Sequence, residues 1–344
     1  MTAPPLPHRA PALASRRSLL AGAAALAAGA ALPGLLPLPA HAEDAAAYPA
    51  RPVRLLVGYS AGGAVDAVAR SLGQALAASL GQPFVVDNRP GAGSNIAVKA
   101  AIDAPADGYT LMVAANALAA NMALYQPAPF DAERDLAAIS LIGRVPVVIA
   151  ANAQAPYGSI GPLIAAAKAR PRAIAFASPG NGSTPHMAVE FFERAAGIEL
   201  QHVPYRGGAQ ALTDVIGGQV PLIAVNALEA LPHARSGKLK VLAVLSPGRS
   251  AVLPDVPTIA ESGFPGFEAS VWYGLVAPAG TPQPIVDRLH AEVQKALQTP
   301  GVRERMAQVG GEVLPGSRDA FVRLIHSERQ RYEKLVREAR IQPD

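Results

Sequence analysis

Residues 51–70 read RPVRLLVGYSAGGAVDAVAR, and the order of residue types within them sets the fold class. The apolar run 53–58 is a buried strand by pattern. It passes through Tyr59-Ser60-Ala61-Gly62-Gly63 into residues 64–80, whose apolar side chains recur at helical spacing and stop at Gly81. A second stretch, 178–187, reads SPGNGSTPHM and lies between an apolar run at 173–177 and a helical pattern at 184–196. At a strand-to-helix turn, the first N–H groups of the helix and its positive dipole end face one point. Two such half-sites predict a receptor that closes on a small anion.

Working outward, strands are expected at 84–87, 109–114, 145–151, 200–203, 222–225, 240–245 and 269–276. Helices are expected at 96–104, 160–168, 209–217, 285–297 and 319–339, and turn-rich loops at 88–94 and 277–284. Strand–loop–helix alternation with near-continuous apolar strands predicts an α/β fold on a parallel sheet. There is no internal repeat. Two lobes are expected, with the chain crossing near 143 and returning near 245. Lobe 1 is then 43–142 with 245–344, and lobe 2 is 143–244.

The N-terminus predicts the compartment. Residues 1–42 carry Ser15-Arg16-Arg17-Ser18-Leu19-Leu20, an Ala/Leu/Gly run and Ala40-His41-Ala42. These are the parts of a cleavable signal peptide of the twin-arginine type, with cleavage expected after Ala42 and a periplasmic destination. Gly29, Pro33, Gly34, Pro37 and Pro39 break the apolar run before the roughly 20 residues that a membrane span requires.

The formal charge of +4 belongs partly to that leader, because removing Arg9, Arg16 and Arg17 leaves 27 basic against 26 acidic residues. Such a balance carries no nucleic-acid footprint. The chain has no cysteine, which excludes disulfides and thiolate chemistry. No second long apolar run follows the leader, so a soluble monomer is expected.

Gly58-Tyr59-Ser60-Ala61-Gly62 matches the G-x-S-x-G nucleophile elbow, which makes a serine hydrolase the sharpest enzymatic alternative. It follows the first strand after the leader, however, with no oxyanion loop upstream. Gly91-Ala92-Gly93 lacks the third glycine of a dinucleotide motif, since Ile96 stands in its place. His186, His202, His233, His290 and His326 share no ligand spacing, so no metal and no cofactor is expected. A binding role asks less of these residues. Ala61, Gly62 and Gly63 let a ligand approach their N–H groups directly. Ser178, Gly180, Asn181, Gly182, Ser183 and Thr184 add hydroxyl and backbone donors. Asp66 reads as a brace of its helix start, and His186 as a residue satisfying local backbone. Neither loop contains Lys or Arg, although Arg89 and Arg206 lie close by in the sequence pattern.

These loops, in this order, resemble the substrate-binding proteins of tripartite tricarboxylate transporters, the Bug receptors. The likeness includes LGQPFVVDNRPGAGSNIAVKAA, ADGYTLMVA, HVPYRGGAQALTDVIGGQV, SGKLKVLAVLSPGRSAVLPDVPTIAESGFPGF and WYGLVAPAGTP beside the two loops above, and spans nearly all of the chain after the leader. The resemblance implies a two-lobed periplasmic-binding-protein fold of type II kind, with a small organic acid in the cleft. It further implies membrane transporter subunits as partners and no enzymatic activity, with a periplasmic ligand sensor as an alternative role. Ligand contacts carry over to Tyr59–Asp66 and Ser178–His186, with the Asn116–Asn121 loop and Asn226 as further cleft-facing positions. Three departures stand out. The first loop often reads FPPGG, where this chain has Tyr59-Ser60-Ala61-Gly62-Gly63. Ala117 replaces a frequent hydroxyl residue. Residues 221–226, PLIAVN, lack the acidic residue that often precedes the asparagine, which favours a plain carboxylate over an amino acid.

Overall fold

Seventeen residues of α1 (Ala64–Leu80) show how the elements arise. Val65, Val68, Ala69, Leu72 and Leu76 form its buried stripe, and Gly81 ends it in a left-handed conformation, φ 72°, with its N–H on Ala77 O at 3.0 Å. Each leucine so buried contributes about 1.5–3 kcal/mol. The stripe lies on the sheet face of β1 (Val53–Val57) and β2 (Phe84–Asn88). Then follow α2 (Asn95–Ile102), β3 (Thr110–Ala115), α3 (Ala117–Leu124), α4 (Ala132–Asp135), β4 (Leu136–Asn152), α5 (Ile160–Ala169), β5 (Ala175–Ser178), α6 (Thr184–Ala196), β6 (Gln201–Pro204), α7 (Gly208–Ile216), β7 (Leu222–Asn226), α8 (Ala227–Arg235), β8 (Leu239–Val244), β9 (Ser270–Pro278), α9 (Gln283–Gln298), α10 (Pro300–Gln308), β10 (Glu312–Val313) and α11 (Arg318–Ala339). This computed structural model describes residues 47–308, 310–339, 341 and 342. The expected signal peptide, 1–42, lies outside the described residues.

The strand order is β2-β1-β3-β9-β4-β7-β5-β6, with β8 and β10 also on β4. Strands β2, β1 and β3 are parallel, as are β6, β5 and β7. The expectation of a wholly parallel sheet is corrected by β4 and β9, which run antiparallel to their neighbours. β8 and β9 both run antiparallel to β4, and the long return 245–269 connects these two like-directed strands. β4 is 17 residues long. Its first part, Leu136 to Pro146, pairs with β9, and its last residues, from Val147, pair with β7 and β8. One strand thus joins two half-sheets, each covered by its own helices.

The pattern reading found only the second part of β4. Ala137, Ala138, Ser140, Gly143 and Arg144 dilute the apolar signal of the first, where two register shifts interrupt the ladder with β9. Gly143 is required there, because a Cβ would come within 2.4 Å of Glu312 O on β10. α3 also escaped the pattern and was expected as a loop. Each of its eight residues is buried, so it has no polar face to set a period. Among the described residues, no helix is long and apolar enough to cross a membrane.

Glu193 on α6 gives the fold a measurable pH dependence. Its carboxylate accepts the Leu200 N–H, and burial, reinforced by the Glu190 charge, pushes its carboxyl from 4.5 up to about 8. The folded protein therefore binds this proton more tightly than the unfolded chain. Its stabilisation is complete below pH 4.5 and lost as pH rises to about 8. The melting temperature is expected to fall across that window, and less steeply in Glu193→Gln. Identical slopes in the two proteins would remove Glu193 as the cause.

Candidate functional site

Three helices begin around one small cavity. α1 contributes Gly63, Ala64 and Val65, α6 contributes Thr184 and Pro185 behind the cap residue Ser183, and α7 contributes Gly208. Tyr59, Ala115, Pro179, Asn226, Glu229 and Val271 complete the wall, and the volume is about 20 Å³, room for about one water molecule. Outside it lies a wider cavity of about 380 Å³, bordered by Tyr59, Gly91–Ser94, Gly180, Asn181 and Arg206. No Lys or Arg lines the inner cavity. Three helix starts bring their positive dipole ends to it, beside the Glu229 carboxylate.

The structure places the expected residues in three groups. Tyr59, Gly63, Ser183, Thr184 and Asn226 line the inner cavity, and Gly180 and Asn181 border the outer one. Ser60, Ala61, Gly62, Asn121 and Gly182 sit at or near the contact between the two half-sheet assemblies. Ser60 N and Oγ both donate to Arg206 O, at 3.3 and 2.8 Å. Asn121 Nδ2 donates to Gly93 O and Asn95 Oδ1, each at 2.7 Å, and its Oδ1 stands 1.8 Å from where a Cβ on Gly182 would be. Ala61 is exposed.

The third group is engaged within the scaffold. Asp66 accepts from Gly62 N at 3.0 Å, Asn88 Nδ2 at 3.0 Å, and Arg70 Nε and Nη2 at 2.9 Å. Burial would raise its carboxyl, but these donors outweigh burial and hold it below the usual range. Asn116 is turned away from the cleft. It donates to Glu328, Tyr332 and Ser270 and accepts from Trp272 N, tying α11 to β9. Ser178 Oγ meets His202 Nε2 at 2.6 Å and receives Gly180 N at 3.1 Å. His186 Nδ1 accepts Gly182 N at 3.2 Å, while its ring stacks on His202 with centroids 4.0 Å apart. Burial, then His186, pushes His202 down to about 2, so that ring is neutral. The amides of Gly62, Gly180 and Gly182, expected to face a ligand, thus have internal acceptors in this arrangement.

Glu229 is the residue the pattern reading missed. Residues 221–226 have no acidic side chain, but one arrives a helical turn later, on α8. Asn226-x-x-Glu229 has the spacing of a helix-capping box, which reads as purely structural. Asn226 makes no side-chain cap. Glu229 reaches across instead, and its Oε1 accepts Ala64 N at the start of α1 at 2.6 Å and Asn226 Nδ2 at 3.3 Å. The site therefore does hold an acidic group, supplied from outside residues 221–226. Burial raises the Glu229 carboxyl, against the pull of those two donors. Burial and then the Glu229 charge push the phenols of Tyr59 and Tyr273 upward in turn. No group of His, Asp and Glu that could hold a metal ion occurs among the described residues.

Comparison with known proteins agrees with this architecture. Protein BugT of Bordetella pertussis is 40% identical over 293 residues, covering 85% of this chain and 90% of BugT. The solved structure of the periplasmic binding protein BugD superposes with a TM-score of 0.83 at 34% identity, covering 86% of this chain and 100% of BugD. An R. palustris protein solved with adipate, Rpa4515, gives the same TM-score, identity and coverage. The fold is that of the two-lobed periplasmic binding proteins, with the cleft between lobes. Residues 68–341 match the family described as "Tripartite tricarboxylate transporter family receptor", and the chain belongs to that family of solute-binding receptors.

Proposed function

We propose that this receptor is exported to the periplasm, captures a small organic acid between its lobes, and delivers it to membrane transporter subunits. One observation carries the reading: the starts of α1, α6 and α7 surround a single cavity that no cationic side chain lines. The inner cavity has room for about one water molecule, so the ligand occupies the wider cavity outside it, where the nearby helix dipole ends favour a carboxylate. The adipate in the R. palustris structure supports the class of ligand. Ser60 acts as a cleft contact and not as a nucleophile, since its hydroxyl proton goes to the Arg206 carbonyl. A base would have to receive that proton in a hydrolase.

Lobe 1 is 43–142 with 245–344, and lobe 2 is 143–244. The hinge lies where β4 changes partners between Pro146 and Val147, beside the Leu245 N to Val147 O bond of 2.9 Å. A thermal-shift screen of organic acids tests capture, because a ligand at 100 times its Kd adds about 2.7 kcal/mol. Small-angle scattering then reports the hinge: the true ligand should populate one compact state. A screen in which no acid raises the melting temperature would remove the receptor reading of this cleft.

Export rests on Arg16-Arg17. Replacing both with lysine is expected to leave uncleaved precursor in the cytoplasm. Normal processing of that double variant would show export by the general secretory route.

A further inference from the structure

The inner cavity contains more acceptors than a bound carboxylate can use. Glu229 Oε1 has its two donors, but Oε2 is buried without a partner. Asn226 turns its amide nitrogen to Glu229, which leaves Oδ1 directed elsewhere, also buried and unpartnered. Thr184 Oγ1, on α6, is a third buried atom without a partner on this cavity. Glu229 is half-buried, but its oxygens lie against the starts of two helices. A Cβ on Gly63 would sit 3.5 Å from Oε1, and one on Gly208 would overlap Oε2 at 1.5 Å.

Unmet acceptors in a buried site are costly, and a buried carboxylate without a countercharge most of all. A plain diacid makes this worse, since its second carboxylate would face the Glu229 carboxylate, a like charge. Protonating Glu229 supplies one donor and leaves Asn226 Oδ1 unmet. A group with three N–H donors and a positive charge satisfies all three atoms together.

We propose that Glu229, Asn226 and Thr184 form an ammonium subsite, so that this receptor selects small carboxylic acids that carry an amino group. Glu229 is thereby a specificity-determining residue. The inference rests on the receptor reading above and specifies the ligand class. In the complex the ligand ammonium replaces the missing donors and keeps Glu229 ionised, while the ligand carboxylate lies in the wider cavity outside. Glu229 also borders a flanking cavity of about 320 Å³ beside His233 and Arg305, which gives its side chain room to adjust as the cleft opens.

Calorimetry on the processed receptor with matched probes tests this: L-glutamate against glutarate, L-aspartate against succinate, and 4-aminobutyrate against butyrate. In at least one pair, the amino member is expected to bind about a hundredfold more tightly at neutral pH. Glu229→Gln, checked for folding by circular dichroism, should shrink that ratio to less than about tenfold, mainly by weakening the amino member. Equal or tighter binding of the amine-free member in the wild type overturns the proposal, and this comparison needs no variant. An undiminished ratio in a folded Glu229→Gln overturns Glu229 as its source. If adipate binds and no amino acid does, the subsite is refuted while the receptor reading stands. If neither kind of acid binds, the receptor reading fails and this inference goes with it.

Discussion

Gly182→Val is expected to lower ligand affinity more than about a hundredfold, equivalent to roughly 2.7 kcal/mol, while the separate lobes stay folded. Gly182 has φ +70°, where a β-branched residue is strained by about 1–2 kcal/mol. Its Cβ would lie 1.8 Å from Asn121 Oδ1 and 3.3 Å from Leu124 Cδ2, both on α3. Asn121 cannot move aside cheaply, because it is fully buried and its Nδ2 holds Gly93 O and Asn95 Oδ1. The easiest relief is to part α6 from α3, and in the proposed lobe assignment that motion opens the cleft.

Gly62→Val is the comparison variant. Its φ is +84°, but a Cβ there meets nothing within 4 Å, so only backbone strain remains. Calorimetry should therefore show a much smaller loss for Gly62→Val, and scattering should show an expanded particle only for Gly182→Val. Wild-type affinity in Gly182→Val would mean that the α3–α6 contact is not part of the binding-competent state.

Asp66→Ala is expected to destabilise the protein by about 2–3 kcal/mol, through stranded donors more than through a lost ion pair. The Asp66 side chain is almost fully buried, whereas the side chain of Arg70 is 55% exposed. Water and salt therefore screen the Arg70 side of the pair. Gly62 N and Asn88 Nδ2 lose their acceptor in a part-buried place, and with it goes the geometry of the loop before α1.

The pH dependence has a definite sign. The folded-state carboxyl is held below its ordinary 3.8, so this stabilisation is present above that pH and lost as pH falls through the lower folded value. Chemical denaturation at neutral pH should show the full loss in Asp66→Ala, and at strongly acid pH the two proteins should converge. A midpoint unchanged at neutral pH would show that the loop is braced by other contacts.

Local chemistry made much of this protein legible from the chain alone. The bounds of α1 and α6 follow from apolar spacing closed by Gly81 and Gly197, each in a left-handed conformation. Gly62, Gly180 and Gly182 mark the two cleft loops because positive φ there excludes most other residues. Such signals act over a few residues, within the reach of one turn or one helical period. They also identify the family, since the spacing of these loops is a property of the chain.

Side-chain destination is a different matter. Asn116 and Asn226 look alike in sequence, yet one ties α11 to β9 and the other lines the cleft. Glu229 has the spacing of a cap, yet its oxygen accepts the N–H of Ala64, 165 residues away. The antiparallel placement of β9 likewise depends on a long return with no periodic signal. The sequence by itself determined where helices and strands start and stop, the glycine-rich turns between them and the receptor family. Only the tertiary structure decided which acidic group enters the site, because that outcome is set by contacts between segments far apart in the chain, and no local period encodes them.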